Sequence, residues 1–142
     1  MTSGAACFVD ACVPVYAAGD EHPYKAPCAR IVVAIADGEI EAATDTEVIQ
    51  ELVYRYHSIG RQDAGLRIAG RLMSIVGWVL PVTRQDADLF LGLSRTYPSL
   101  RPRDAIHVAV MIGAGIERIV TADRHFDQVR EVQRVDPLDL KW

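Results

Sequence analysis

The sequence predicts an α/β fold, a central, mostly parallel sheet flanked by helices. Short apolar runs alternate with longer amphipathic stretches along the chain, the order that crossover helices and parallel strands produce. Glycines close several of the amphipathic stretches and prolines open others, as helix ends and starts require. No repeat, low-complexity tract or linker interrupts the alternation, and 142 residues with 50% apolar composition suit one domain over 1–142.

CFVD (7–10) is a short apolar run that predicts a strand, and ACVPVYAAG after it predicts a brief helix ending at Gly19. HPYKAPCARIVVAIADG places Ile31, Ala34 and Ile35 on one side, a helix that starts near Pro27. IEAAT (40–44) reads as a short strand. In the next segment Thr44 and Glu47 stand at capping-box spacing, with Ile49, Leu52, Val53 and Tyr56 as the apolar stripe and Gly60 as the stop. Residues 63–76 read as a helix, and VLPV (79–82) as an edge strand because of its proline. TRQDADLFLGLSRTY turns Leu89, Leu93 and Tyr97 to one side of a further helix. RPRDAIHVAVMIGAG (101–115) sets Pro102 at a first helical position and then runs apolar on almost every side, which predicts a helix buried in the centre. RIVTAD (118–123) and EVQRVD (131–136) read as the last strands.

Composition removes several function classes. Residues MTSGAACFVD lack a basic leader, and no apolar run approaches the roughly 20 residues that cross a bilayer, so a soluble, cytoplasmic protein with no membrane partner is expected. Cys7, Cys12 and Cys28 are odd in number and lack CxxC spacing, which leaves them as reduced, small apolar side chains. A net charge of −4 argues against holding nucleic acid by global attraction. It leaves room for a local basic rim, since 13 of the 15 cations are arginines, with Arg55, Arg61, Arg67 and Arg71 in one group and Arg101 and Arg103 in another.

The informative residues are acids. In a parallel sheet the usual binding crevice lies at the carboxyl ends of the strands, and Asp10 and Asp123 fall at such ends. Asp104 lies in the first turn of the buried helix, where the positive end of the helix dipole favours a carboxylate. Each has an ordinary structural explanation as a turn or first-turn residue; their coincidence is what points to a site. Carboxylates that converge repel one another unless a cation neutralises them, and oxygen ligands alone suit Mg2+ or Mn2+ rather than zinc. Helical spacing turns Glu51 away from the stripe of Ile49, Leu52, Val53 and Tyr56, so periodicity alone predicts that it is solvated.

Other chemistries find less support. The chain has neither GxxxxGK[ST] nor GxGxxG. A phospho-acceptor aspartate needs a lysine near a later strand, and the only lysines are Lys25 and Lys141. Cys12, His107 and His125 allow a thiol–imidazole site by count, but His107 lies one turn after Asp104 in an apolar helix, where a buried, hydrogen-bonded histidine is expected.

The order and spacing of RDAIHVA and IVTADRHFD, after an N-terminal strand that ends in VDA, resemble the PIN-domain family, and most closely its VapC-type toxin ribonucleases. The resemblance covers nearly the whole chain and implies a three-layer PIN-like fold. It places Asp10, Glu51, Asp104 and Asp123 in the family's acidic quartet, with Asp127 as an additional acid. It associates Asp10 and Asp104 most directly with Mg2+, and Glu51 and Asp123 with direct, water-mediated or second-ion binding. Thr121 matches a position that supports a carboxylate, and Cys12 departs from the polar residue, often Asn, of similar first motifs. The implied activity is metal-dependent hydrolysis of RNA, with Arg101, Arg103 and Arg124 as candidates for phosphate contact. The implied partners are an antitoxin, which inserts a segment toward the crevice, and a second copy that pairs through helices between residues 45 and 97. A nuclease of RNA maturation or structured DNA, and a PIN-like binding module without turnover, are the alternatives.

Overall fold

The computed structural model describes residues 7–140. Residues 1–6, part of the stretch read as lacking a basic leader, and Lys141 lie outside the described residues. The described elements follow the predicted alternation: β1 (Cys7–Val9), α1 (Cys12–Ala18), α2 (Lys25–Ala36), β2 (Ala42–Asp45), α3 (Thr46–His57), α4 (Gln62–Ile75), β3 (Trp78–Leu80), α5 (Arg84–Thr96), α6 (Pro102–Ala114), β4 (Arg118–Val120), a 3-10 turn (Arg124–Gln128) and β5 (Gln133–Val135).

The strands form one parallel sheet in the order β3-β2-β1-β4-β5. Central β1 sets the register, with Phe8 opposite Ala43 on β2 and Ile119 on β4. Parallel strands covered on both faces are apolar at successive positions, and Cys7, Phe8 and Val9 are all buried. Strand β3 is at an edge of the sheet, as its sequence predicts, but it runs over Trp78–Leu80 and Pro81 directly follows it. Because the order reverses at β1, the crevice of the sheet opens at the carboxyl ends of β1 and β4.

Several boundaries differ from the sequence reading: β2 runs over Ala42–Asp45 rather than 40–44, β3 over Trp78–Leu80 rather than 79–82, and β5 over Gln133–Val135 rather than 131–136. Helix α2 begins at Lys25, ahead of Pro27. Thr44 and Glu47 do not form a capping box: Thr44 is the third residue of β2, and its hydroxyl donates to the Val9 carbonyl. Asp45 caps α3 instead, accepting from the Val48 N–H at 2.8 Å, and a capping box stands at α5 between Thr83 and Asp86. Strand β4 ends at Val120, three residues short of Asp123.

Helix α6 is buried on most sides, through Ala105, His107, Val108, Ala109, Val110 and Met111. Gly115, at φ 74°, closes it in the left-handed conformation that glycine adopts without strain. Helices α3 and α4 pack closely enough that a Cβ added to Gly65 would lie 2.8 Å from Tyr56 Cβ, whereas Gly70 on the same helix faces open space. Gly65→Ala should therefore cost about 1–3 kcal/mol in urea unfolding, while Gly70→Ala should add about 0.5–1 kcal/mol. Equal midpoints for the two variants would refute this account of the α3–α4 contact.

Candidate active site

Asp10 directly follows β1 and is 6% exposed. Its Oδ1 accepts from the Ala11 N–H at 2.9 Å and its Oδ2 from the Thr121 hydroxyl at 2.7 Å. Thr121 follows β4, so the two central strands hold this carboxylate between them. Cys12 Sγ lies 3.4 Å from the same hydroxyl, so the thiol keeps a polar contact at that position. Burial and the Asp10 charge push the Cys12 thiol up to about 12, which leaves it protonated and a poor nucleophile.

Asp104, in the first turn of α6, is 4% exposed, and its Oδ2 is buried with no hydrogen-bond partner. Arg101 Nε stands 3.7 Å from that oxygen, and its Nη2 is 3.3 Å from Asp123 Oδ2. Burial and the charges of Asp10 and Asp123 push the Asp104 carboxyl up to about 6. Asp123 caps the 3-10 turn, accepting from the His125 N–H at 2.9 Å and meeting the His125 ring at 2.6 Å. Its carboxyl is held low: burial alone would raise it, and His125 and Arg101 outweigh burial.

Glu51 corrects the sequence reading. It is 9% exposed rather than solvated, because the buried stripe of α3 runs through Val48, Leu52 and Tyr56, one step from the predicted one, and takes Glu51 with it. Its Oε1 faces His107 Nε2 at 3.4 Å, while Arg55 and Arg103 stand 3.8 and 4.0 Å from its Oε2. Burial alone would raise this carboxyl; His107 and the two arginines lower it.

His107 is fully buried, as predicted, and joins this cluster: one ring nitrogen lies with oxygens of Asp10 and Glu51 within 4.8 Å. Its Nδ1 meets Asp45 Oδ2 at 2.7 Å. With a carboxylate at each nitrogen the ring donates from both. Burial would lower its pKa, but the bonds to Asp45 and Glu51 and the nearby charges raise it to about 10. The ring thus lies as a positively charged partner between the two carboxylates, and Asp10, Glu51 and His107 are the described residues whose ligand atoms converge closely enough to surround an ion. Asp104 and Asp123 fall outside that group, although the charges of Asp10 and Asp123 act on Asp104, and its buried, unpartnered Oδ2 is an oxygen of the kind a hard divalent ion takes.

Asp127 stands apart from this group: it is exposed, and Arg134 bonds it at 2.8 Å. Arg124 is exposed at the start of the 3-10 turn, and Arg101 and Arg103 are half-exposed beside the acids.

Residues 7–132 match the PIN domain family. The chain belongs to that family. Among curated relatives of this PIN-domain protein, the VapC ribonuclease Mb1869c of Mycobacterium bovis is 34% identical over 127 residues, covering 89% of this chain and 97% of the relative. Ribonuclease VapC7 of Mycobacterium tuberculosis is 37% identical over 130 residues, covering 91% of this chain and 90% of the relative. A solved toxin–antitoxin complex from Klebsiella pneumoniae shares the fold, with a TM-score of 0.66 at 12% identity, covering 95% of this chain and 100% of that one.

Asp45 is the PIN-domain site residue that the sequence reading missed. Its side chain caps α3, but nothing in the sequence links it to His107, 62 residues away. Removing the imidazole should leave two buried carboxylates without their cation, so His107→Gln is expected to cost about 3–5 kcal/mol near neutral pH. Since folding raises the pKa of this group, the wild-type advantage is full below pH 6.5 and is lost as pH rises through about 10. Denaturant titrations of both proteins across that range give the comparison, and a constant difference would mean that the ring acts by packing alone.

Proposed function

We propose that this PIN-domain chain is a Mg2+-dependent ribonuclease, with Mn2+ able to substitute, that acts as the toxin of a toxin–antitoxin pair in the cytoplasm. The observation that carries the metal reading is the Oδ2 of Asp104, buried without a hydrogen-bond partner beside Asp10 and Asp123. Two relatives at 34% and 37% identity are named ribonucleases, which supports RNA as the substrate.

Asp10 and Asp104 are the residues assigned to the ion, with Glu51 and Asp123 beside them. Bound there, Mg2+ would polarise the scissile phosphate, orient a water and stabilise the leaving oxygen. Thr121 and the Ala11 N–H restrain the Asp10 carboxylate, and His107 restrains Glu51. The cluster's carboxylates accept the proton of the attacking water as the phosphorus–oxygen bond of the leaving nucleotide breaks, and no covalent protein intermediate is needed. Arg101, Arg103 and Arg124 supply positive charge to the substrate backbone at the rim of an otherwise acidic crevice. Asp127, bound to Arg134, supports the turn that carries Asp123.

The antitoxin reading has its own support. A groove of about 440 Å3 lies between α1, α2 and α4, away from the acids, with Ala17, Val32, Val33 and Ile68 on its walls and Arg61, Arg67 and Arg71 beside them. An apolar trough with three exposed arginines is complementary to an acidic amphipathic segment, and we assign it to one segment of the antitoxin, a further segment of which reaches toward the acidic crevice. Tyr54, Ile59, Leu66, Met73 and Leu91 are exposed apolar side chains between residues 45 and 97, which supports the expected homodimer through those helices. The whole chain, 1–142, is taken as one domain.

Metal-stripped protein is expected to leave RNA intact, with Mg2+ or Mn2+ restoring cleavage and Asp10→Asn or Asp104→Asn removing it. Equal cleavage by wild type and Asp104→Asn would assign the activity to a contaminant. Thermal melts of the same proteins test the electrostatics. Asp104 binds its proton more tightly when folded, so stability rises as pH falls from about 6 toward 3.8, and above that window the ionised group costs about 1–3 kcal/mol. In EDTA at neutral pH Asp104→Asn should melt higher than wild type by that margin, less about 0.3–1 kcal/mol of helix-dipole interaction, and excess Mg2+ should raise the wild-type midpoint alone.

Expression of the chain should arrest growth and co-expression of its antitoxin should relieve the arrest. Arg67→Glu together with Arg71→Glu should make the arrest resistant to the antitoxin without weakening it. Relief that is unchanged by these reversals would move the antitoxin to another face.

A further inference from the structure

Tyr16, His22 and Tyr24 form an aromatic cluster beside the acidic site, and neither the metal nor the antitoxin reading uses it. The ring centroids are 4.7 Å apart for Tyr16 and His22, 5.2 Å for Tyr16 and Tyr24, and 5.9 Å for His22 and Tyr24, with planes within 31° of one another. The two tyrosines pack against the core and are partly buried, while His22 is exposed. His22 and Tyr24 are stacked and Tyr16 is tilted by 30° and 31° to them, so the exposed His22 ring and the uncovered parts of the tyrosines present aromatic surface to solvent.

Their location is fixed by bonds to the carboxyl edge of the sheet. Tyr24 Oη donates to Asp136 Oδ2 at 2.8 Å, and Asp136 directly follows β5. Arg134 Nη1 donates to that same carboxylate oxygen at 3.0 Å and to the Thr121 carbonyl at 3.2 Å, and the Thr121 hydroxyl holds Asp10. Tyr16 lies one turn after Cys12 on α1, a helix that starts just after Asp10, and helical side chains lean toward the N-terminus of their helix. The platform thus borders the crevice in which Asp10 sits.

We propose that the Tyr16–His22–Tyr24 cluster is a stacking site for an unpaired nucleobase of the RNA, next to the nucleotide whose phosphate enters the acidic crevice. The proposal rests on the ribonuclease reading. Aromatic faces of this kind take splayed, single-stranded bases and do not take bases stacked in a duplex. Charge selects a base over a phosphate here, because Asp20 and Glu21 precede His22 in the same loop and would repel a phosphate. The consequence is a preference for unpaired RNA at the cleavage position.

The test is binding without turnover, in EDTA, using full-length Asp104→Asn protein and two fluorescent single-stranded oligoribonucleotides of equal length and charge, one with a base and one abasic at the central position. The parent protein should bind the complete strand more tightly. Tyr16→Leu should weaken that binding by about five- to 100-fold and leave the abasic strand unchanged, while Tyr16→Phe should behave as the parent. His22→Ala, a change at an exposed ring, should weaken the same strand in the same selective way. Equal affinity of the parent for both strands, or equal losses on both strands in the Tyr16→Leu protein, overturns the stacking site. That result beside intact Mg2+-dependent cleavage by wild type sinks the platform and leaves the ribonuclease reading standing. Base-selective binding beside absent cleavage would do the reverse.

Discussion

The interaction on which the site depends is the buried imidazolium of His107 between Asp45 and Glu51. Two carboxylates taken out of water without a partner would each cost several kcal/mol. A cation that donates from both ring nitrogens makes their burial possible and ties three elements together: the β2–α3 junction through Asp45, the body of α3 through Glu51, and α6 through His107 itself. The same Asp45 caps α3 with its other oxygen, so the direction of that helix and the orientation of Glu51 rest on one side chain.

The charge of His107 also shapes the acids around it. It opposes the upward push of burial on Asp10 and Asp104 and turns Glu51 downward. It does not reach Asp104 Oδ2 with a hydrogen bond, and no other described donor does. The internal cation thus satisfies the inner side of the cluster and leaves the crevice side electrostatically incomplete, as a site for an exchangeable ion requires. Arg101, between Asp104 and Asp123, offsets part of that deficit from the surface, where half of it remains open to solvent.

The surfaces of the molecule divide along similar lines. The carboxyl edge of the sheet carries the acids, the rim arginines and the aromatic cluster, while the apolar, arginine-flanked groove lies between α1, α2 and α4. Helix α1 lines that groove with Pro14, Ala17 and Ala18, and its first turn carries Cys12 against Thr121. Helix α1 is therefore the physical link between the two faces.

The sequence by itself determined the alternation of strands and helices, the proline-marked edge strand, the buried central helix and the burial of His107, because apolar periodicity and helix punctuation are local properties of a chain. It also supplied Asp10, Asp104 and Asp123 as candidates, since strand ends and a helix first turn are readable positions. Their neighbours were decided by tertiary structure alone. Glu51 reads as solvated from its own helix, and becomes buried because a cation 56 residues away faces it. Asp45 has no role in the local pattern, which points to Thr44 as the cap, and its second oxygen acquires one only when α6 packs beside β2. Asp127 sits in the same short motif as Asp123, yet Arg134 on β5 draws it outward. Burial of a charge is decided by the partner it meets, and the partner is brought by the fold rather than by the local pattern.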